Sequence, residues 1–103
     1  MRFLIKVTIP VDRGNAAIKD GSLPKTLQSI LEELKPEAVY FTADDGQRTA
    51  FIFVDMQEPS QMVAVAEPFF LAFDADVQFL PAMTPQDLMK AVPAMEQSVR
   101  KYG

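Results

Sequence analysis

The chain has 103 residues, of which 49% are apolar, and a formal net charge of −4. This length predicts a single domain over residues 1–103, large enough to bury a core without disulfide or metal support. Because Cys and His are absent, thiolate nucleophiles, iron–sulfur clusters, thiolate zinc sites and the usual general base near neutral pH are excluded. We therefore expect no metal and no cofactor.

The acidic charge balance opposes binding to phosphate backbones and anionic membranes. We therefore expect no nucleic-acid and no membrane partner. The N-terminal apolar run is interrupted by Lys6 and reaches Pro10 too early for a secretory signal peptide. No apolar stretch approaches the ~20 residues needed to span a bilayer. These features favour a cytoplasmic location.

Residues 2–9 alternate with a period of two, which predicts a strand with one buried face, ended by Pro10. One face carries Phe3, Ile5, Val7 and Ile9, and the other carries Arg2, Leu4, Lys6 and Thr8. The first face is entirely apolar, so we expect it to lie against the core.

A helical crossover follows the first strand. We expect a short helix opened by Gly14 and Asn15, then a longer helix with Ser22 as its N-cap and an end before Pro36. The apolar stripe of the longer helix is formed by Leu23, Leu27, Ile30, Leu31 and Leu34.

Residues 38–43 and 49–55 are rich in β-formers, and Asp45-Gly46 between them is a strong hairpin signal. A two-residue turn there pairs Thr42 with Thr49. Tyr40, Thr42, Phe51 and Phe53 then share one face, while Val39, Phe41, Ala50, Ile52 and Val54 share the other.

The second half of the chain predicts a helix from Pro59, a strand over residues 77–80, and short helices from Thr84 to the C-terminus with an interruption near Pro93. Pro68 removes one backbone hydrogen bond inside the first of these helices, so we expect a kink or a restart there. The order β-α-β-β-α-β predicts an α+β, ferredoxin-like domain with a four-stranded antiparallel sheet, central first and third strands, and extra C-terminal helices.

The two predicted helices can cover only one face of this sheet. The other face is expected to present Leu4, Lys6, Thr8, Tyr40, Thr42, Phe51, Phe53, Gln78 and Leu80. An exposed apolar patch of this kind marks an interaction surface. Two interpretations remain open: the segment 84–103 folds back over the patch, or a second copy pairs with it in a two-fold homodimer. We favour the homodimer.

Four short motifs carry a family resemblance. They are Glu67-Pro68-Phe69-Phe70, Asp76-Val77-Gln78-Phe79, Met83-Thr84-Pro85-Gln86-Asp87-Leu88 and the hairpin Tyr40-Phe41-Thr42-Ala43-Asp44-Asp45-Gly46. Over about residues 37–90 the chain resembles an uncharacterised bacterial family, a domain of unknown function in the dimeric α/β-barrel superfamily. Muconolactone isomerases, antibiotic-biosynthesis monooxygenases and stress-responsive barrel domains belong to the same superfamily.

The resemblance implies a face-to-face homodimer and transfers no catalytic residue. Catalytic members of the superfamily often place His, Trp or Asn in the pocket between the two sheets. This chain has no His or Trp, and its only Asn, Asn15, falls in the crossover.

The candidate ligand-binding residues all come from the face left open by the predicted helices. They are Lys6, Thr8, Tyr40, Thr42, Phe51, Phe53 and Gln78. Lys6 could bind an anionic ligand or, with a lowered pKa, act as a base; alternatively it reaches the rim or pairs with a carboxylate of the other subunit. The polar side chains could orient a ligand or satisfy one another across the sheet.

Two functional hypotheses follow from these residues. The favoured one is a homodimeric module that binds a small, partly apolar molecule between its sheets, or serves assembly alone. The alternative is a cofactor-independent enzyme of isomerase or monooxygenase type, with Lys6 and Tyr40 as its polar pair. That alternative rests on fold analogy.

Other features are expected to be structural. Arg48 is predicted near the hairpin end, either exposed or holding an anion at the mouth of the dimer, and the paired aspartates fall in turns. We expect the methionines at 56, 62, 83, 89 and 95 to fill gaps in the core or at helix contacts. RNA-recognition domains share the element order, but Leu4 replaces an aromatic residue in the first strand and the net charge is acidic.

Overall fold

The computed structural model describes all 103 residues, Met1–Gly103, as an α+β chain. In chain order the elements are β1 (Arg2–Ile9), α1 (Val11–Lys19), α2 (Ser22–Leu34), β2 (Ala38–Asp44), β3 (Gln47–Asp55), α3 (Gln61–Phe73), β4 (Asp76–Pro81), α4 (Pro85–Lys90) and α5 (Val92–Tyr102). The strands form one antiparallel sheet in the order β2-β3-β1-β4, so β1 and β3 are central.

The β2–β3 hairpin turns at Asp45 and Gly46, whose φ angles are both positive at 52° and 75°. A type I′ turn requires positive φ at both central residues, and Asp-Gly is among the pairs that adopt it most readily. The turn sets Thr42 opposite Thr49. The predicted register of the hairpin is therefore confirmed.

The core lies between the sheet and a layer made of α1, α2 and α3. Ile5, Val7 and Ile52 of the central strands are buried on this covered face, together with Phe69 and Phe73 of α3. The leucines of the α2 stripe are only partly buried against them. The alternation expected for β1 is confirmed, because its odd-numbered positions face the helices.

Two helix starts differ from those predicted. α1 begins directly after Pro10, and Gly14 lies buried inside it, where its N–H donates to the Pro10 carbonyl at 2.8 Å. At α2 the N-cap position is occupied by Gly21 in the left-handed conformation, and Ser22 is the first helical residue. The side chain of Asp20 accepts the Ser22 N–H at 2.8 Å and so takes the capping role expected of Ser22.

Helix α3 continues through Pro68 without a restart. An interior proline costs about 3 kcal/mol or more. The same helix buries Val65 and Phe69 against the sheet, and each fully buried side chain of this size contributes roughly 1.5–3 kcal/mol. Packing on the sheet therefore offsets the lost hydrogen bond.

Helices α4 and α5 lead away from the sheet. They pack against each other, and neither packs to a comparable extent against any strand or any other helix. The interpretation in which the segment 84–103 covers the open sheet face is therefore wrong for the single chain. The radius of gyration, 17.3 Å, exceeds the value of about 13 Å expected for a compact domain of this length.

Most of the methionines predicted to fill gaps do not do so. Met56 is buried in the core, but Met62, Met83, Met89 and Met95 are exposed. The last three belong to the segment that leaves the sheet, where no second layer exists for them to pack against.

Candidate functional site

Strand register arranges the open face of the sheet in three rows, each of which crosses all four strands. The middle row is Tyr40, Phe51, Lys6 and Gln78. The row nearer the hairpin turn is Thr42, Thr49, Thr8 and Asp76, and the row on the other side is Ala38, Phe53, Leu4 and Leu80. The seven candidate residues therefore lie together on one face, in three adjacent rows.

The apolar side chains of this open face have no covering element. Phe51 and Phe53 are half-buried, while Tyr40 and Leu80 are exposed. Helices α1, α2 and α3 all lie on the opposite face, and α4 and α5 point away from the sheet. The single chain thus leaves the aromatic side chains of the open face in contact with solvent.

Lys6 is held by a carboxylate of its own chain. Its Nζ lies 2.6 Å from Oδ2 of Asp44 at the end of β2, so its side chain crosses β3 to reach that partner. The hydrogen bond and charge of Asp44 raise the pKa of the Lys6 ammonium above its ordinary value. A general base near neutral pH needs the opposite shift, so this geometry favours a fixed positive charge at Lys6.

The other polar side chains of the open face bond along their own strands. Thr49 Oγ1 donates to the Gln47 carbonyl at 3.0 Å, and Gln78 Nε2 donates to Oδ2 of Asp76 at 3.2 Å. Mutual satisfaction across the sheet, one of the two interpretations of these residues, is therefore not what the structure shows. Gln78 and Asp76 are exposed and accessible to a ligand or a partner.

A groove of about 710 Å³ lies on the covered side of the sheet, between α2 and the β2–β3 hairpin. Leu23, Leu27 and Leu31 form its α2 wall, and Phe41 and Ala50 form its sheet wall. We call it the α2 groove. Phe41 is 59% exposed although it lies on the covered face. Strand alternation predicted the face of Phe41, but alternation carries no information on whether a helix reaches an edge strand.

Arg48 lies beside the α2 groove and not on the open face. It shares its face with Ala50, is half-buried, and takes part in none of the four ion pairs of the chain. Its Nη1 approaches α1 so closely that a Cβ on Gly14 would stand 2.7 Å from it. Arg48 is therefore half-buried and not fully exposed, and its position at the mouth of a dimer stays a prediction. The sequence could have predicted that Arg48 lies on the covered side, because the even-numbered residues of β3 face the helices.

The acidic side chains are spread out, and no three of them gather closely enough to hold a metal ion. None of the five helices is both long and apolar enough to cross a membrane. Asp45 and Asp74 adopt positive φ in the turn and at the C-cap of α3, which agrees with the structural role expected for the paired aspartates.

Comparison with known proteins adds no assignment to this geometry. No protein-family model matches the chain, and no curated protein is significantly similar to it in sequence.

Proposed function

We propose that this chain is the subunit of a homodimeric module of the dimeric α/β-barrel type. Each subunit has the ferredoxin-like βαββαβ arrangement, and the two open faces pair around a two-fold axis. The observation that carries the proposal is the open face itself, where Leu80 is exposed and Phe51 and Phe53 are half-buried with no covering element in the chain.

The size of the open face supports pairing. Four strands about 4.8 Å apart and three rows about 6.8 Å apart give an area of roughly 400 Å². Six of the twelve residues in the three rows are apolar or aromatic, so the apolar part of the face is roughly half of that area and can form the centre of an interface. Sheets that pack face to face stand about 10 Å apart, so the pairing would bury the aromatic side chains and leave space where the side chains are small.

The threonine row marks the place for a small ligand. Thr8 and Thr42 are short side chains beside the Lys6–Asp44 ion pair, and Thr49 between them is already buried in the single chain. In the dimer Thr8 and Thr42 would border a space with polar groups at one end and Phe51 at the other. A small, partly apolar molecule fits this chemistry. Native mass spectrometry of the purified protein tests the ligand, since a retained molecule adds its mass to the dimer.

The enzymatic alternative receives no support from the geometry. An isomerase or monooxygenase that used Lys6 as a base would need a lowered pKa, whereas Asp44 raises it. Tyr40 is exposed at the edge strand.

The dimer is tested by sedimentation equilibrium of the wild type, Phe53→Lys and Val63→Lys. Phe53 lies on the open face, whereas Val63 is 63% exposed on α3 and serves as the matched control. We expect dimers for the wild type and for Val63→Lys, and a folded monomer or an unfolded chain for Phe53→Lys. Circular dichroism separates those last two states. A monomeric wild type would refute the proposal.

A further inference from the structure

The C-terminal segment, residues 82–103, extends from the edge of the sheet and leaves most of its own surface in solvent. We call this segment the arm. It contains α4 and α5, which pack against each other and make no comparably extensive contact with any other helix or strand. The molecule is consequently 59 Å long but only 28 Å and 20 Å in its other dimensions. An arm of two helices held away from its own domain has no layer of the same chain on which to bury apolar side chains.

Helix α5 nevertheless carries an apolar stripe. Val92, Met95, Val99 and Tyr102 follow one another at spacings of three, four and three residues, so they share one face of the helix. Val99 is 67% exposed, and Tyr102 and Met95 are exposed as well. A stripe with this spacing is typical of a helix that packs against another surface.

The α2 groove is the second apolar feature that the single chain leaves unsatisfied. It is concave and bordered by Phe41, the most exposed apolar side chain in its lining. The groove opens at β2, while the arm begins after β4, and these strands form opposite edges of the sheet. The arm and the groove of one chain are thus separated by the full width of the sheet.

We propose that the arm of each subunit crosses to the second copy and places its α5 stripe in the α2 groove of that copy. The inference rests on the homodimer proposed above. A two-fold axis parallel to the strands sets β4 of one subunit against β2 of the other, so each arm starts at the β2 edge of its partner. It starts at the strand end that pairs with Phe3, whereas Val7 and Ile9 line the groove, about 13–20 Å further along the strands. The arm, about 30 Å long, is long enough to span that distance.

Surface area supports a second copy as the occupant. A stable interface buries about 800 Å² on each partner, about twice the rough area of the open face. The chain exposes 7048 Å², against about 5,800 Å² expected for a folded monomer of this mass. Two reciprocal arms would supply the interface area that the open faces alone do not provide. No further partner would then be needed.

Charge does not decide the arrangement. Glu32 and Arg48 both line the α2 groove, so the groove carries one acidic and one basic side chain. Arg100 and Lys101 occupy the last turn of α5 and would pair with the Glu32 side of the groove.

Cross-linking tests the arm crossing, since the chain has no cysteine of its own. We would prepare Phe41→Cys and Val99→Cys as separate chains, refold them as a mixture, and treat the mixture with a short bis-maleimide. Gln97→Cys replaces Val99→Cys in the control mixture, because Gln97 is exposed on the side of α5 opposite the stripe. Sedimentation of each mixture before treatment establishes whether it is dimeric.

We expect the Phe41→Cys and Val99→Cys mixture to give a covalent dimer at a yield at least five-fold above that of the control mixture and of each single variant. Equal yields in dimeric samples would overturn the arm crossing and leave the face-to-face dimer standing. Strong linking of Val99→Cys to itself would place the two arms against each other and would also overturn it. Monomeric samples would defeat the dimer itself, and the inference with it.

Discussion

Lys6 is the one cation within the three rows of the open face, and Asp44 neutralises it. Exposed ion pairs contribute little to stability in a single chain. The pair would matter instead for the proposed dimer, because an unpaired ammonium in the middle row would have to be desolvated when two faces meet. Asp44 thus lowers the desolvation cost of Lys6 on a surface that we expect to be buried.

The charge state of Lys6 gives the first prediction. In the wild type we expect its pKa, measured by carbon NMR at Cε, to exceed the ordinary 10.5. The stability gained from this raised pKa is complete below the unfolded value and disappears as pH rises through the folded value. Asp44→Asn should move the pKa back towards 10.5. Asp45→Asn is the matched control with a smaller effect, because Asp45 acts only through its charge.

A wild-type pKa below 10.5 would contradict the ion pair as the dominant influence on Lys6. Only a pKa lowered to near neutral pH would restore the base required by the enzymatic alternative. The measurement therefore separates the two functional hypotheses at a single atom.

Two adjacent phenylalanines in α3 give the second prediction. Phe69 is fully buried, whereas Phe70 is 40% exposed. Phe69→Ala should lower the free energy of unfolding by about 3–5 kcal/mol, because it leaves an enclosed cavity. Phe70→Ala should cost less than about 2 kcal/mol, because its side chain is only partly removed from water. Urea denaturation at equal protein concentration measures both, and equal losses would contradict the orientation of α3.

At the scale of elements, α4 has the best-defined start of any helix in the chain. Thr84 Oγ1 accepts the Asp87 N–H at 3.1 Å, and Asp87 Oδ2 accepts the Thr84 N–H at 3.0 Å. This reciprocal capping box satisfies donors that a helix end otherwise leaves free. Its hydrogen bonds hold the pKa of Asp87 below its ordinary value. The box fixes the direction in which the arm leaves the sheet.

The capping box predicts an acid-sensitive start of the arm. A depressed pKa contributes stability that is present above the unfolded value of about 3.9 and is lost as pH falls through the folded value. The protection of the α4 amides, measured relative to the intrinsic exchange rate at each pH, should therefore fall below about pH 4 in the wild type. Asp87→Asn should remove this acid step, while Asp45→Asn, in the hairpin turn, should retain it. An unchanged step in Asp87→Asn would contradict the role of the box.

Elements governed by local rules could be predicted from the sequence, whereas distances between elements could not. The Asp45-Gly46 turn sets the register of the hairpin, and alternation in β1 sets which of its residues lie on the open face. Both could be predicted because each depends only on neighbours along the chain. The start of α1 was missed because Pro10 ends a strand and opens a helix at the same residue. The α2 groove was missed because its width depends on how far α2 lies from an edge strand.

The candidate site shows the same division. The alternation of side chains along each strand predicts which residues share the open face with Lys6. It does not predict that Lys6 reaches Asp44 across β3, because this pair joins strands that are not neighbours in the sheet. Both the carboxylate of a partner subunit and the rim were reasonable alternatives until the three-dimensional path of the side chain was known.

At the scale of the whole molecule, the outline is elongated, which supports the proposed dimer. A radius of gyration of 17.3 Å and an exposed area of 7048 Å² both exceed the values for a compact monomer of this length. The two sources of the excess are the arm and the open face. Each carries apolar side chains that the single chain leaves in contact with solvent, namely the α5 stripe and the pair Phe51 and Phe53.

A subunit of this kind should have a melting temperature that depends on protein concentration. When a folded dimer unfolds to two chains, each tenfold rise in concentration adds about 1.4 kcal/mol to the free energy of unfolding per dimer. With an unfolding entropy of about 2.1 cal/mol/K for each residue of both chains, the melting temperature should rise by about 3 °C per tenfold.

Calorimetry of the wild type, Phe53→Lys and Val63→Lys over a hundredfold range of concentration measures this dependence. The wild type and Val63→Lys should shift in parallel by about 6 °C over that range. Phe53→Lys should melt at one lower temperature throughout, because a folded monomer unfolds without a change in the number of molecules. A wild-type melting temperature that stays constant would mean that the open face is stable in water on its own, and the pairing of two faces would lose its physical basis.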